Sequence, residues 1–262
     1  MTKNIQLLLL SLCSLLCFDS SAQYYKASFK KDVVPIAVGA SLTAIGIHIA
    51  NRTSAPTLAE INQLNPTDLN FLDRGAANFY SSTAQTASDI LLYSSITLPF
   101  MSYISGECRD NSIPILIMAI EVALINNGLT EIIKGSAKRF RPFSYNPIVS
   151  TETKLKKATK KSFVSGHTSQ SAAFAFLTAR IATDLFPNSK HKTLIWTTAA
   201  TIPAVIGYLR MRAGKHFPTD VIGGYIIGAS IGYLIPSLHL VKNENLSIQT
   251  AGVSSVQLQL KF

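Results

Sequence analysis

The chain has 262 residues, of which 47% are hydrophobic and only 15% charged, with a net charge of +10. Ordinary soluble domains carry about 25% charged residues, so this composition excludes a disordered acidic chain and disfavours a plain soluble domain. With an isoelectric point near 9.6 and a mean hydropathy of +0.26, the basic excess points to anionic lipid headgroups or phosphorylated substrates rather than nucleic acid.

In chain order, residues 1–22 read as a signal peptide. Lys3 precedes an apolar run over residues 7–16, and Ser20-Ser21-Ala22 ahead of Gln23 fits cleavage after small residues. The run is shorter than the about 20 apolar residues of a spanning helix. Leu15-Leu16 before Cys17 is too bulky for lipoprotein processing. Cys13 and Cys17 fall in or beside this segment, which leaves Cys108 as a small buried apolar residue and no intrachain disulfide.

Residues 23–89 form an N-terminal region: an apolar helix over 33–50, then polar loops and amphipathic helix containing Pro56 and Pro66. Residues 90–238 form the core. Apolar segments are expected at 90–104, 113–133, 194–209 and 221–235, with a small-residue helix at 167–186 broken by Pro187. Residues 141–166 read as a loop carrying Lys154, Lys156, Lys157, Lys160 and Lys161, a solvated charge run that as a group can attract anionic headgroups. Gly224, Gly228 and Gly232 recur every fourth residue, which places a stripe of small residues on one helix face and predicts close helix packing. The tail, 239–262, ends in an alternation of Val256, Leu258, Leu260 and Phe262 with polar residues. One or two strands cannot close a barrel in lipid, so a short peripheral hairpin is expected.

Three stretches carry the chemistry. Lys134 stands seven residues before Arg141-Pro142; Ser165-Gly166-His167 opens a helix; and Arg210 precedes His216 and Asp220. Lysine and arginine can neutralise the charge of a phosphoryl group in flight, the arginines through bidentate forks. A helix start with glycine offers free N–H groups to an anion, and Ser165 can cap that helix or bond a phosphate oxygen. His167 there can donate a proton to a leaving oxygen. Pro218 suits the first turn of a helix, which brings Asp220 near His216, where a carboxylate can fix the imidazole tautomer. His48, His191 and His239 have no partner pattern, and no metal-ligand spacing appears.

The series Lys-x6-Arg-Pro, Ser-Gly-His, Arg-x5-His-x3-Asp resembles the signature of the type 2 phosphatidic acid phosphatase family, whose superfamily also holds bacterial acid phosphatases and vanadium haloperoxidases. The resemblance covers about residues 90–235. It implies an all-α multi-helix bundle with five to six transmembrane helices around a phosphate pocket, plus the short β-like tail. It further implies His216 as the nucleophile of a phosphohistidine pathway, Asp220 orienting it, and His167 as general acid. Lys134, Arg141, Ser165, Gly166 and Arg210 would hold the phosphate, without metal or other cofactor. Val164 and Leu209 depart from the proline and serine usual in the family; the lost serine removes one hydrogen bond, about 0.5–1.5 kcal/mol.

The implied activity is metal-independent hydrolysis of phosphomonoesters or diphosphates of membrane lipids, of the lipid A, undecaprenyl diphosphate or phosphatidylglycerophosphate class. A soluble periplasmic acid phosphatase stays open, favoured by the signal segment and by Arg180 and Asp184 within a candidate span. So does a silent lipid-binding membrane scaffold. The expected setting is the bacterial inner membrane, with the pocket on the periplasmic face and no obligate protein partner. The lysine-rich loop argues for the opposite face under the positive-inside rule.

Overall fold

The computed structural model describes residues 25–101, 109, 111–241, 246–250 and 256–260. The expected signal segment, Cys108 and Phe262 lie outside the described residues. Among the described residues there are six long helices: α1 (Phe29–Arg52), α2 (Ser82–Ile96), α3 (Ser112–Ala137), α4 (Gly166–Leu185), α5 (Lys192–Arg212) and α6 (Pro218–Leu234). Local chemistry sets their ends. Ser81 and Ser165 cap α2 and α4 through their hydroxyls, and Pro218 and Asp220 sit in the first turn of α6. Lys138 closes α3 in the left-handed region at φ 44°. The segment expected at 90–104 starts earlier and stops at Ile96. Pro99, lacking an N–H and clashing with the preceding turn, allows only a separate short helix at Leu98–Met101.

Close contacts fix the helix directions. Gly39 lies against Leu124 and Ile125, Gly46 against Gly128 and Ile132, and Gly135 against Ile49 and Ala50, so α1 and α3 run parallel. Gly224, Gly228 and Gly232 meet the backbones of Ser165, Ser169 and Ala173 in turn, so α4 and α6 are parallel to each other. Between α3 and α4 the order reverses: Ser169 Oγ donates to Asn126 Oδ1 at 2.6 Å, while Lys134, further along α3, reaches Gly166 at the start of α4. Helix α5 runs with α3, since Gly207 meets Thr168 and Tyr225 donates to the Ala200 carbonyl at 3.0 Å. The ends of α1, α3 and α5 therefore meet the starts of α4 and α6.

The core lies between α3 and α4, where Ile115, Met118, Val122, Phe174, Leu177, Ile181 and Leu185 are buried. The outward faces are also apolar: Val34, Val38 and Ile45 on α1, Ile113 and Leu116 on α3, and Ile222 and Ile226 on α6 are exposed. Such continuous apolar cover marks a lipid-facing surface.

Among the described residues four segments, Phe29–Arg52, Ser112–Ser144, Lys192–Arg212 and Pro218–His239, are long and apolar enough to cross a membrane. Helix α2, with 15 residues, is about 22 Å long against a hydrocarbon core of about 30 Å. Helix α4 is rich in serine, threonine and alanine and is buried among the others. Arg180 and Asp184 pair at 2.7 Å and Tyr25 Oη donates to Asp184 at 2.9 Å, so these charges are satisfied within the fold and do not argue for a soluble protein. In the tail, β1 (Leu246–Thr250) pairs antiparallel with β2 (Val256–Leu260), Leu246 opposite Leu260.

The glycine stripe supplies a stability test. A Cβ at Gly228 would overlap the Ser169 carbonyl, whereas one at Gly75 would meet nothing within 4 Å. Gly228→Val is expected to cost about 3 kcal/mol through overpacking, read as a lowered Tm in detergent, while Gly75→Ala leaves Tm unchanged or slightly raised.

Candidate active site

The site forms where α4 and α6 begin and α3 and α5 end, so two positive helix ends face the same space. All eight residues singled out in the sequence collect there. Gly166 leaves room for Lys134: a Cβ on it would stand 2.6 Å from Lys134 Nζ, the tip of a flexible side chain that would have to move aside. Lys134 is itself held by Glu131 at 2.7 Å. Arg210 is 5% exposed, and the Nε groups of Arg210 and Arg141 are buried without a hydrogen-bond partner. Unpartnered buried guanidinium donors are costly unless an anion completes them. Ser165 takes the capping role. Its hydroxyl is engaged by Thr168 Oγ1 at 2.9 Å and by the Thr168 N–H at 3.4 Å.

His216 is 2% exposed, and its Nδ1 lies 2.7 Å from the Ser162 carbonyl. A carbonyl only accepts, so Nδ1 carries the proton and Nε2 keeps its lone pair. Asp220 stands one step back from the place expected for it: Oδ2 is 3.9 Å from His216 Nδ1, beyond hydrogen-bond reach. That oxygen instead accepts from Ser162 Oγ at 2.6 Å and from the Phe217 N–H at 2.8 Å. The carboxylate thus fixes Ser162 and the backbone at Phe217, which in turn hold the imidazole.

Four further participants carried no recognisable spacing. Arg139 Nη1 pairs with Asp220 Oδ1 at 2.5 Å and its Nη2 with Asp73 Oδ2 at 2.6 Å. Asp73 is fully buried in a short helix, Phe71–Arg74, before α2 and also accepts from the Thr219 hydroxyl at 2.7 Å. Burial raises the Asp73 carboxyl, but bonds from Arg139, Thr219 and Asn70 prevail and hold it below the ordinary carboxylate range. Asp89 on α2 accepts through Oδ1 from His167 Nε2 at 2.7 Å and from Arg210 Nη1 at 3.0 Å. Lys215 is depressed to about 8 by burial and then by repulsion from Arg141 and Arg210. Two of the loop lysines are likewise engaged, Lys160 with Glu60 at 2.6 Å and Lys157 with the Asn51 carbonyl. The loop is therefore tied to the N-terminal region rather than merely solvated.

A cleft of about 460 Å³ leads from this cluster between α2 and α3. Lys134, Gly166 and His167 line one end, and Leu92, Ile96 and Ala123 the other. One end suits an anion, the other a hydrocarbon chain.

Burial, reinforced by Arg141 and Arg210 and opposed by Asp220, lowers the His216 pKa from 6.5 to about 3. The folded state therefore refuses a proton that the unfolded chain accepts below pH 6.5. This contribution to stability is complete above pH 6.5 and falls by up to about 1.4 kcal/mol per pH unit down to about pH 3. Denaturant midpoints across pH 4–7 are expected to show that slope, reduced in His216→Phe. Arg139→Met leaves two buried carboxylates without their cation, and a loss of about 3 kcal/mol is expected by the same measurement.

Comparison with known proteins follows the same boundaries. The profile of the PAP2 superfamily matches residues 113–244, half of the chain. Phosphatidylglycerophosphatase B of Bacillus subtilis is 31% identical over 108 residues, covering 41% of this chain and 49% of that protein. Lipid A 4'-phosphatase of Porphyromonas gingivalis is 32% identical over 105 residues, covering 39% of this chain and 41% of that protein. The match thus spans less than half the length of either relative. A solved structure of a transmembrane PAP2-type phosphatidylglycerolphosphate phosphatase from Bacillus subtilis overlays with a TM-score of 0.45 at 21% identity, covering 89% of this chain and 93% of that one. With the profile spanning both histidine motifs and the helices that present them, the chain belongs to the PAP2 superfamily.

Proposed function

We propose that this protein is a phosphatase that removes phosphate from membrane lipids through a phosphohistidine intermediate. The cleft carries the lipid part of this reading, because its cationic end and its apolar end are continuous between α2 and α3. The two curated relatives are named for lipid phosphates, phosphatidylglycerophosphate in one and lipid A in the other, and that is the substrate class assigned here. A soluble phosphate ester needs no such apolar extension, and a silent scaffold needs no buried histidine with a fixed tautomer.

In the proposed reaction the ester phosphate completes the donors of Arg141 and Arg210, with Lys134 and the start of α4 on its other oxygens. His216 Nε2 attacks phosphorus in line, and the Nδ1 proton stays on the Ser162 carbonyl side, which stabilises the cationic phosphohistidine. His167 protonates the departing lipid oxygen, then accepts a proton from the water that hydrolyses the intermediate. Asp89 acts as a positioning residue, holding His167 through Nε2. No step calls on a metal.

Two assays separate these roles. His216→Ala is expected to abolish phosphate release and acid-labile labelling by a radioactive phosphate donor; a normal rate would remove the mechanism. His167→Asn is expected to lose about 10²–10⁴-fold on a lipid phosphate but much less on p-nitrophenyl phosphate, whose leaving group needs little protonation. For the substrate class, Ala123→Phe blocks the apolar end of the cleft. It is expected to lower kcat/KM on a long-chain lipid phosphate about tenfold, one to two methylenes' worth of pocket binding, with little change on p-nitrophenyl phosphate. Equal effects on both would overturn the lipid reading.

The proposed orientation starts from the direction of α1. Because α1 crosses and ends beside the pocket, the pocket and Phe29 lie on opposite sides of the membrane. A cleaved export signal and a periplasmic pocket therefore exclude each other. The periplasmic assignment rests on Lys26, Lys30 and Lys31, which flank the start of α1 and favour a cytoplasmic start under the positive-inside rule, against the five lysines of residues 154–161, which favour the reverse. In a background without native cysteines, a membrane-impermeant thiol reagent on intact cells is expected to label Thr153→Cys and spare Lys26→Cys; the reverse pattern would invert the assignment.

A further inference from the structure

Away from the pocket, three titratable side chains from distant parts of the chain meet in the interior. Asp32 in the first turn of α1 is 5% exposed, Glu121 on α3 is fully buried, and His239 in the short helix after α6 is 3% exposed. His239 Nε2 is 2.8 Å from Glu121 Oε2, and its Nδ1 is 3.6 Å from Asp32 Oδ1. One potential ligand atom from each residue lies within 4.8 Å of those from the other two. Thirteen residues separate Glu121 from Lys134 along α3, about 20 Å of helix, so this cluster is remote from the phosphate site.

The group is incomplete as it stands. Glu121 Oε1 and His239 Nδ1 are buried without a hydrogen-bond partner. Asp32 Oδ2 is satisfied by the Ser28 N–H at 2.7 Å, which leaves its Oδ1 toward the histidine. Among the described residues no lysine or arginine pairs with either carboxylate. Two ionised carboxylates with a neutral imidazole leave a charge of −2 in the interior, and an imidazolium still leaves −1. Uncompensated charge of that kind is among the most costly features a core can hold. A dication brings the sum to zero.

We propose that Asp32, Glu121 and His239 bind one divalent transition-metal ion, Zn2+ or a close neighbour. An imidazole nitrogen with two carboxylate oxygens is a ligand set such ions accept. Bond lengths of about 2.0–2.2 Å need the three side chains to draw in by about an ångström. The ion joins the start of α1 and the end of α6 to the middle of α3. Its role is structural, and it is independent of the phosphatase reading.

The test uses tag-free full-length protein in detergent, stripped with a chelator and then titrated with Zn2+ or Co2+. About one equivalent is expected by elemental analysis, with a rise in Tm and, for Co2+, visible absorption from the bound ion. Asp32→Asn and Glu121→Gln are expected to weaken binding about tenfold or more and to lose the Tm rise, while exposed His48→Ala keeps both. Phosphate release at low temperature, with and without the ion, reports that each variant is folded and is expected to be unchanged by metal. Failure of the stripped wild type to take up Zn2+ or Co2+ overturns the proposal, as does equal binding by Glu121→Gln. So does a wild type stabilised by lower pH and not by metal, since a proton would then supply the missing charge.

Discussion

The buried carboxylate of Asp220 is the constraint around which the pocket end of the fold is arranged. It is fully buried and can remain there as an anion only if cation and donors surround it. Arg139 supplies the charge, while Ser162 and the Phe217 N–H supply hydrogen bonds. Each of these partners has a second task. Arg139 reaches on to Asp73, which secures the short helix before α2. Ser162 presents its carbonyl to His216. Phe217 lies under the Arg139 guanidinium at 4.4 Å. Satisfying one charge thus fixes that short helix, the imidazole and the start of α6 together.

Close backbone packing makes that arrangement possible. The Ser165 N–H donates to the Asp220 carbonyl at 2.9 Å, a contact between the starts of α4 and α6 that requires the helices to lie nearly touching. Gly224, Gly228 and Gly232 permit this along the whole length of the pair. The same strategy recurs between α1 and α3 through Gly39, Gly46, Gly128 and Gly135. In lipid, where burial of apolar surface does little to drive helices together, contact at this range supplies van der Waals attraction instead.

Much of this was legible in the chain. Apolar and small-residue runs locate five of the six long helices among the described residues within a few residues, and the family resemblance of three short motifs singles out His167, His216, Asp220 and the cations. What stayed hidden has a common cause. Asp89, Asp73 and Arg139 reach the site through tertiary contacts across 66 to 121 residues, and separation of that size leaves no periodic trace. Helix α2 starts before its expected position because its first half, Ser82 to Asp89, is polar, with Ser88 and Asp89 bonded to Arg210, whereas an apolar window begins only at Ile90. His239 read as an isolated histidine because its partner Glu121 lies 118 residues away. The expected contact between His216 and Asp220 was right in neighbourhood and wrong in detail: a helical offset of four brings two side chains near without choosing which atoms bond.

The position of Asp89 has a consequence for turnover in the proposed reaction. Its carboxylate rests on His167, assigned to the leaving oxygen, and on Arg210, assigned to the phosphoryl oxygens. The resting pocket therefore carries a built-in stand-in anion and is less electropositive than its lysines and arginines suggest. An arriving phosphate must take Arg210 from a resident competitor. A lipid ester offsets that exchange with its chain in the apolar cleft, whereas free inorganic phosphate has nothing to offer beyond its charge. The resident anion thus favours departure of the product over its retention, a bias toward release set by the fold before any substrate arrives.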